Sequence, residues 1–176
     1  MRIVYCAFGD RHSGHRYGLT MPGTEIVYHS GEKYEVKLSA WSDWLWNEVW
    51  LPGIEKVIEF AGDDSLVICD GGDMVHGHRY VDYLYSGDID HQVQISTMAL
   101  SPWREAPTLK AILMVTGTGS HDFGNNSAAR QVYDKVAAWG YHQKLDDHLR
   151  WSHPDGFVLD MAHHGPSVSK RPHLRL

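Results

Sequence analysis

The stretch Ser65-Leu66-Val67-Ile68-Cys69-Asp70-Gly71-Gly72-Asp73 runs four consecutive apolar residues straight into two carboxylates and two glycines. A short apolar run without polar alternation reads as a strand buried on both faces. Its Asp-Gly-Gly-Asp end reads as a tight loop. The same pattern recurs on either side. Arg2 to Phe8 is a second apolar run, ending at Gly9-Asp10-Arg11-His12-Ser13-Gly14-His15. Leu109 to Val115 runs into Thr116-Gly117-Thr118-Gly119-Ser120-His121-Asp122, and Phe157 to Met161 into Ala162-His163-His164-Gly165-Pro166. Between these strands the apolar spacing turns helical. Trp41, Trp44, Leu45, Val49, Ile54, Val57 and Ile58 predict a helical segment from Ser39 to Phe60, broken at Pro52-Gly53. Val81 to Leu100 reads as one long helix with a weak point at Gly87-Asp88, and Ser127 to Trp139 as a helix stopped at Gly140. Ile26 to Tyr28 and Tyr34 to Leu38 suggest a small hairpin, and Leu149 to Trp151 a further short strand. Alternating strands and helices predict a layered α/β fold. No linker or repeat divides residues 1–176, so a single domain is expected.

Composition narrows the function classes. The 176 residues are 43% apolar and 22% charged, the balance of a folded domain rather than of a disordered one. No run approaches the roughly 18 apolar residues of a membrane span, and Met1 to Phe8 is too short for a signal core. Sixteen basic against 22 acidic residues give a net charge of −6, unfavourable for non-specific nucleic-acid binding. A phosphate substrate stays open, because a bound metal reverses the local charge. Two cysteines, Cys6 and Cys69, are too few for a disulfide framework and read as buried small hydrophobes, so a reducing cytoplasm is expected.

Thirteen histidines are the unusual count. The informative ones sit where strands end, beside carboxylates: Asp10 and His12, then Asp70 and Asp73, then His121 and Asp122, then His163 and His164. Ligands of open α/β sheets bind beyond the strand ends. Four such loops from one sheet would bring carboxylates and imidazoles together, a donor set suited to Zn²⁺, Mn²⁺ or iron at a hydrolytic centre.

The ordered set Asp10-Arg11-His12, Gly72-Asp73, Gly119-Ser120-His121-Asp122 and His163 or His164 resembles the calcineurin-like metallophosphoesterases. Their pattern runs Asp-x-His, Gly-Asp, Gly-Asn-His-Asp/Glu, an isolated His after a strand, and Gly-His-x-His. The small phage-encoded members are the most similar. Gly14-His15-Arg16-Tyr17-Gly18-Leu19-Thr20, the Trp-rich helix after Ala40 and Ala162-His163-His164-Gly165-Pro166-Ser167 share in the likeness, which covers residues 2 to 168. It implies a sheet sandwich flanked by helices and a two-metal hydrolase of phosphomonoesters or phosphodiesters. The substrate would be a small-molecule, nucleotide or nucleic-acid phosphoester, and a phage origin would place the protein in the host cytoplasm. Mn²⁺ is the first expectation for the two divalent ions, with Zn²⁺, Fe²⁺ or Mg²⁺ as alternatives. Asp73 would bridge both ions, Asp10 and His12 would hold the first, and His163 or His164 the second. A hydroxide between ions about 3.5–4 Å apart would attack phosphorus in line. His121 would serve the leaving oxygen as general acid or charged donor, oriented by Asp122.

Two departures qualify this likeness. The family's Asn, a ligand of the second metal, is replaced by Ser120, or by Thr118 if Gly117 is the motif's glycine. No Gly-His-x-His follows His164, and only His173 lies beyond it. Three explanations stay open: a chain lacking the C-terminal part of the fold, a substitute histidine, or a degenerate second subsite. The alternative to an enzyme is therefore an eroded, non-catalytic binding or scaffold member of the same fold. A metallo-β-lactamase-type hydrolase is disfavoured by the lack of a His-x-His-x-Asp-His run. His15, His76 and His78 read as solvated loop residues, with His76 an alternative metal-supporting group. Trp41, Trp44, Trp46 and Trp50 read as helix-packing residues rather than a base-stacking platform.

Overall fold

A computed structural model describes residues 2–122, 127–153 and 156–163. The three apolar runs become β1 (Ile3–Phe8), β4 (Ser65–Asp70) and β5 (Leu109–Val115). With β6 (His142–Asp146) they form a four-stranded parallel sheet of order β1-β4-β5-β6. Parallel pairing sends every strand's C-terminal end to the same edge, so the polar loops after β1, β4 and β5 become neighbours. The two central strands are buried on both faces, which is why their sequences lack polar alternation.

The strand period of two divides the core. Val4, Leu66, Ile68, Ile112 and Met114 face one layer, and Val67, Cys69, Ala111, Leu113 and Val115 face the other. The first layer is helical: α2 (Leu51–Ala61), α3 (Ile89–Leu100), a 3₁₀ turn at Ser101–Glu105 and α4 (Ala128–Ala137). The second is an antiparallel ribbon of β7 (His148–Ser152) and β8 (Val158–Ala162), which packs Leu149, Trp151, Leu159 and Met161 on the sheet. The expected hairpin is present as β2 (Glu25–Val27) paired with β3 (Lys33–Glu35). The layered α/β class is thus observed.

Three local expectations need correction. Pro52 does not break the helix. α1 (Ala40–Trp44) runs through a widened π-helical turn at Leu45–Trp50 into α2, with Pro52 in the first turn of α2, where its missing N–H is tolerated. The segment Val81 to Leu100 is not one helix. Asp88 caps α3 by accepting from the Asp90 amide at 2.8 Å, and only a 3₁₀ turn at Val81–Tyr83 precedes it. Of the four tryptophans only Trp46 is fully buried, while Trp41 and Trp44 are about half exposed. Asn125 and Asn126, which read as turn or cap residues before the helix from Ser127, and the tail from Ser169, which carries Lys170, Arg171 and Arg175, lie outside the described residues.

Candidate metal centre

The loops after β1 and β4 stay zipped beyond their strands. Asp10 N donates to Gly72 O at 3.0 Å, His12 N to Asp73 O at 3.0 Å and Ser13 N to Met74 O at 3.2 Å. This pairing holds Asp10, His12 and Asp73 side by side. It also holds them in an uncommon backbone. Asp10, His12 and Asp73 have φ of 51°, 44° and 47°, and only Tyr80 joins them among described non-glycine residues in the left-handed region. Backbone strain of this kind clusters at functional sites.

Asp73 is the centre of the arrangement and is buried. Its Oδ1 accepts from the Thr118 amide at 2.6 Å and faces the Thr118 hydroxyl at 3.2 Å. Its Oδ2 lies 3.2 Å from His163 Nε2 and 4.0 Å from His121 Nε2. One oxygen is therefore anchored, and the other stands between two imidazoles from different loops. Glycines make room for this carboxylate. A Cβ at Gly117 would collide with the Asp73 side chain, and one at Gly72, whose φ is 96°, would fall 2.7 Å from Thr116 O and 3.0 Å from His163 Nδ1.

Six side chains form two groups, each able to hold a cation. Asp10, Asp73 and His163 bring one ligand atom each within 4.8 Å of one another, and so do His12, His76 and His121. The ring tautomers suit ligation. His163 Nδ1 meets Gly71 O at 2.6 Å, and His121 Nδ1 meets His76 O. A carbonyl can only accept, so in both rings Nδ1 carries the hydrogen and Nε2 turns inward, the usual outer support of a metal-binding histidine. His12 Nδ1 is buried without a hydrogen-bond partner, and the His76 ring nitrogens are buried with no well-formed one. Burial, then the neighbouring His15, His12 and His121, push the His76 ring down to about 4, against an opposing backbone contact with Arg79. Burial, then His121, also lowers His12, against the pull of Asp73 and Asp10. Neutral imidazoles with unused lone pairs fit a divalent ion.

Several sequence expectations are revised. Only three of the four loops come from the parallel sheet. His163 arrives from β8, in the ribbon on the opposite face, because β8 pairs antiparallel with β7. His12 groups with His76 and His121 rather than with Asp10. His76, read as a solvated loop residue, is buried at the centre of the imidazole group. Its signal was faint: one histidine three places after Asp73. Ser120 is one hydroxyl removed from Asp73. Its Oγ lies 3.0 Å from Thr118 Oγ1, and Thr118 makes the contact. Asp122 does not hold the inner support of His121, whose Nδ1 meets His76 O. Asp122 instead accepts from the Gly117 and Ala129 amides, each at 3.3 Å, tying the loop to the start of α4. Burial raises its carboxyl. Asp70 is taken by Arg11. His164 and His173 lie outside the described residues.

No family model, curated protein or solved structure matches this chain.

Proposed function

We propose that this domain hydrolyses a phosphomonoester or phosphodiester with the help of two divalent metal ions. The observation that carries the reading is the Asp73 carboxylate, anchored through Oδ1 by Thr118 and facing His163 and His121 through Oδ2. Asp10, Asp73 and His163 would hold one ion. His12 and His76, with Asp73 alongside, would hold the other. The first subsite is anionic and suits Mn²⁺ or Mg²⁺, whereas the second is imidazole-rich and also suits Zn²⁺ or Fe²⁺. Bound metals supply a water polarised enough to ionise near neutral pH and positive charge for the phosphate oxygens.

The chain's own residues supply the rest. Asp10, whose side chain is about half exposed, leaves the centre open to a substrate from solvent. Thr118 keeps Asp73 from rotating as charge at the site changes. Held by its Nδ1 contact to His76 O, His121 turns Nε2 toward the site, where a second proton on that nitrogen would serve the departing oxygen. Arg11, buried against Asp70 and Ser96, fixes the loop that bears Asp10 and His12.

The test is hydrolysis of bis-p-nitrophenyl phosphate and p-nitrophenyl phosphate by metal-stripped protein after Mn²⁺ is restored. The same protein with Asp73→Ala is assayed beside it. Activity should return with the metal and fall by at least about a hundredfold in the variant. Folded wild-type protein that binds metal but hydrolyses neither ester would favour the second reading, a non-catalytic binding member of such a fold. The replacement of the family's Asn by Thr118 or Ser120 is what motivates that alternative.

A further inference from the structure

The two loops that carry the imidazoles also carry a line of aromatic rings leading away from them. The His76 ring lies 5.2 Å from that of His121, and the next ring outward, His15, lies 4.2 Å from His76. Tyr17 follows His15 at 5.4 Å and Tyr83 at 6.0 Å, and the two tyrosines stand 6.0 Å apart. Tyr80 flanks His76 at 6.2 Å. The line starts at a buried ring and ends in water, with Tyr17, Tyr80 and Tyr83 exposed by 59%, 70% and 48%.

The backbone holds this arc in place. Arg16 N donates to Tyr83 O at 2.9 Å and Tyr85 N to Gly14 O at 2.7 Å, joining the two loops. Tyr17 N donates to His15 Nδ1 at 3.1 Å, and Trp41 Nε1 donates to Tyr17 O at 3.1 Å. Exposed aromatic rings grouped beside a candidate site offer apolar surface of the kind that binding sites use. Two exposed arginines, Arg16 and Arg79, stand next in sequence to Tyr17 and Tyr80.

We propose that the arc of Tyr17, Tyr80, Tyr83 and His15 stacks the nucleobase of a nucleotide whose phosphate lies at Asp73. A flat ring is the group such an arc recognises, and stacking on aromatic side chains tolerates any base. Arg16 and Arg79 suit one or two phosphates. The overall charge of −6 disfavours a long polyanion, so the substrate is a nucleotide or short nucleotide ester rather than a nucleic-acid strand. The position of the phosphate rests on the phosphoesterase reading, whereas base stacking does not.

The test is calorimetric titration of Mn²⁺-supplemented protein with a non-hydrolysable adenosine 5′-phosphonate and with the matching ribose phosphonate. The base-bearing probe should bind at least about tenfold more tightly. Tyr17→Ala with Tyr83→Ala should reduce that preference to within about twofold, and Tyr17→Phe with Tyr83→Phe should retain it. Equal affinity of both probes for the wild type, absence of binding by either, or a preference that survives the double alanine change overturns the inference. Base preference without Mn²⁺-dependent ester hydrolysis keeps the arc and removes the phosphoesterase reading. Hydrolysis without base preference does the reverse.

Discussion

The guanidinium of Arg11 closes on the carboxylate of Asp70, Nη2 to Oδ2 at 2.6 Å, and both side chains are shut off from water. Nη1 of the same guanidinium donates to Ser96 O at 3.0 Å and Ser96 Oγ at 2.8 Å. One buried cation thus joins the loop after β1, the end of β4 and helix α3. Burial pushes the Asp70 carboxyl up while Arg11 pulls it back.

Removing one partner of such a pair strands the other charge in the core, at a cost of about 3–5 kcal/mol. We expect Arg11→Met to lower the unfolding free energy by that amount in urea titration. Adding Asp70→Leu should recover part of the loss, because the stranded charge goes with it. A cost below about 1 kcal/mol for Arg11→Met alone would mean that water reaches Asp70.

Metal content separates the roles of the site residues. His163→Ala and Asp10→Ala should each cost one equivalent of bound metal, and His76→Ala should cost the other. His121→Ala should keep both and lower kcat by about 10²–10⁴-fold, as loss of a proton donor does. Elemental analysis of the dialysed variants reads the difference. Loss of an equivalent in His121→Ala would make His121 a ligand rather than the acid.

Asp122 serves the loop and helix α4, so its removal should act on stability. Asp122→Ala is expected to cost about 0.5–2 kcal/mol, the range of a lost helix cap. The pH–rate profile should keep its shape. A profile changed in shape would show that Asp122 acts on the reaction itself and not only on the loop and helix α4.

The thiols give a pH test away from the metal ligands. Burial, then Cys6 and Asp70, push Cys69 up to about 12, and burial raises Cys6. The thiolate is the reactive form, and it is scarce below the pKa. At pH 8 the native Cys69 should therefore react with iodoacetamide about a thousandfold more slowly than a thiol at 9.0. The rate should climb with pH well beyond 9 and become ordinary in denaturant. Equal rates in native and denatured protein at pH 8 would contradict the burial.

Legibility followed burial. β4 and β5 were readable because central parallel strands need apolar residues on both faces, and β1, although at the sheet's edge, because its residues are apolar throughout. β6, His142-Gln143-Lys144-Leu145-Asp146, was missed because four of its five residues are polar and every second one is exposed, which leaves no apolar run to read. The break expected at Pro52 failed because a π-turn absorbed the proline. Asp10, Asp73 and His163 were readable as polar residues just beyond strand ends. His76 was not, because only the loop-to-loop pairing of His12 with Asp73 and of His76 with Ser13 brings it to the other imidazoles.

By itself the amino-acid order determined the apolar strands, the glycine-bounded loops after them and the kind of side chain each loop presents. Those are local properties, set by side-chain polarity and backbone freedom within a few residues. Tertiary structure alone decided which imidazoles meet, that His163 comes from the ribbon, that Thr118 rather than Ser120 holds Asp73, and that Tyr17 and Tyr83 stand together. Each of these depends on strand register and layer packing between distant segments, and no spacing along a single chain encodes such distances.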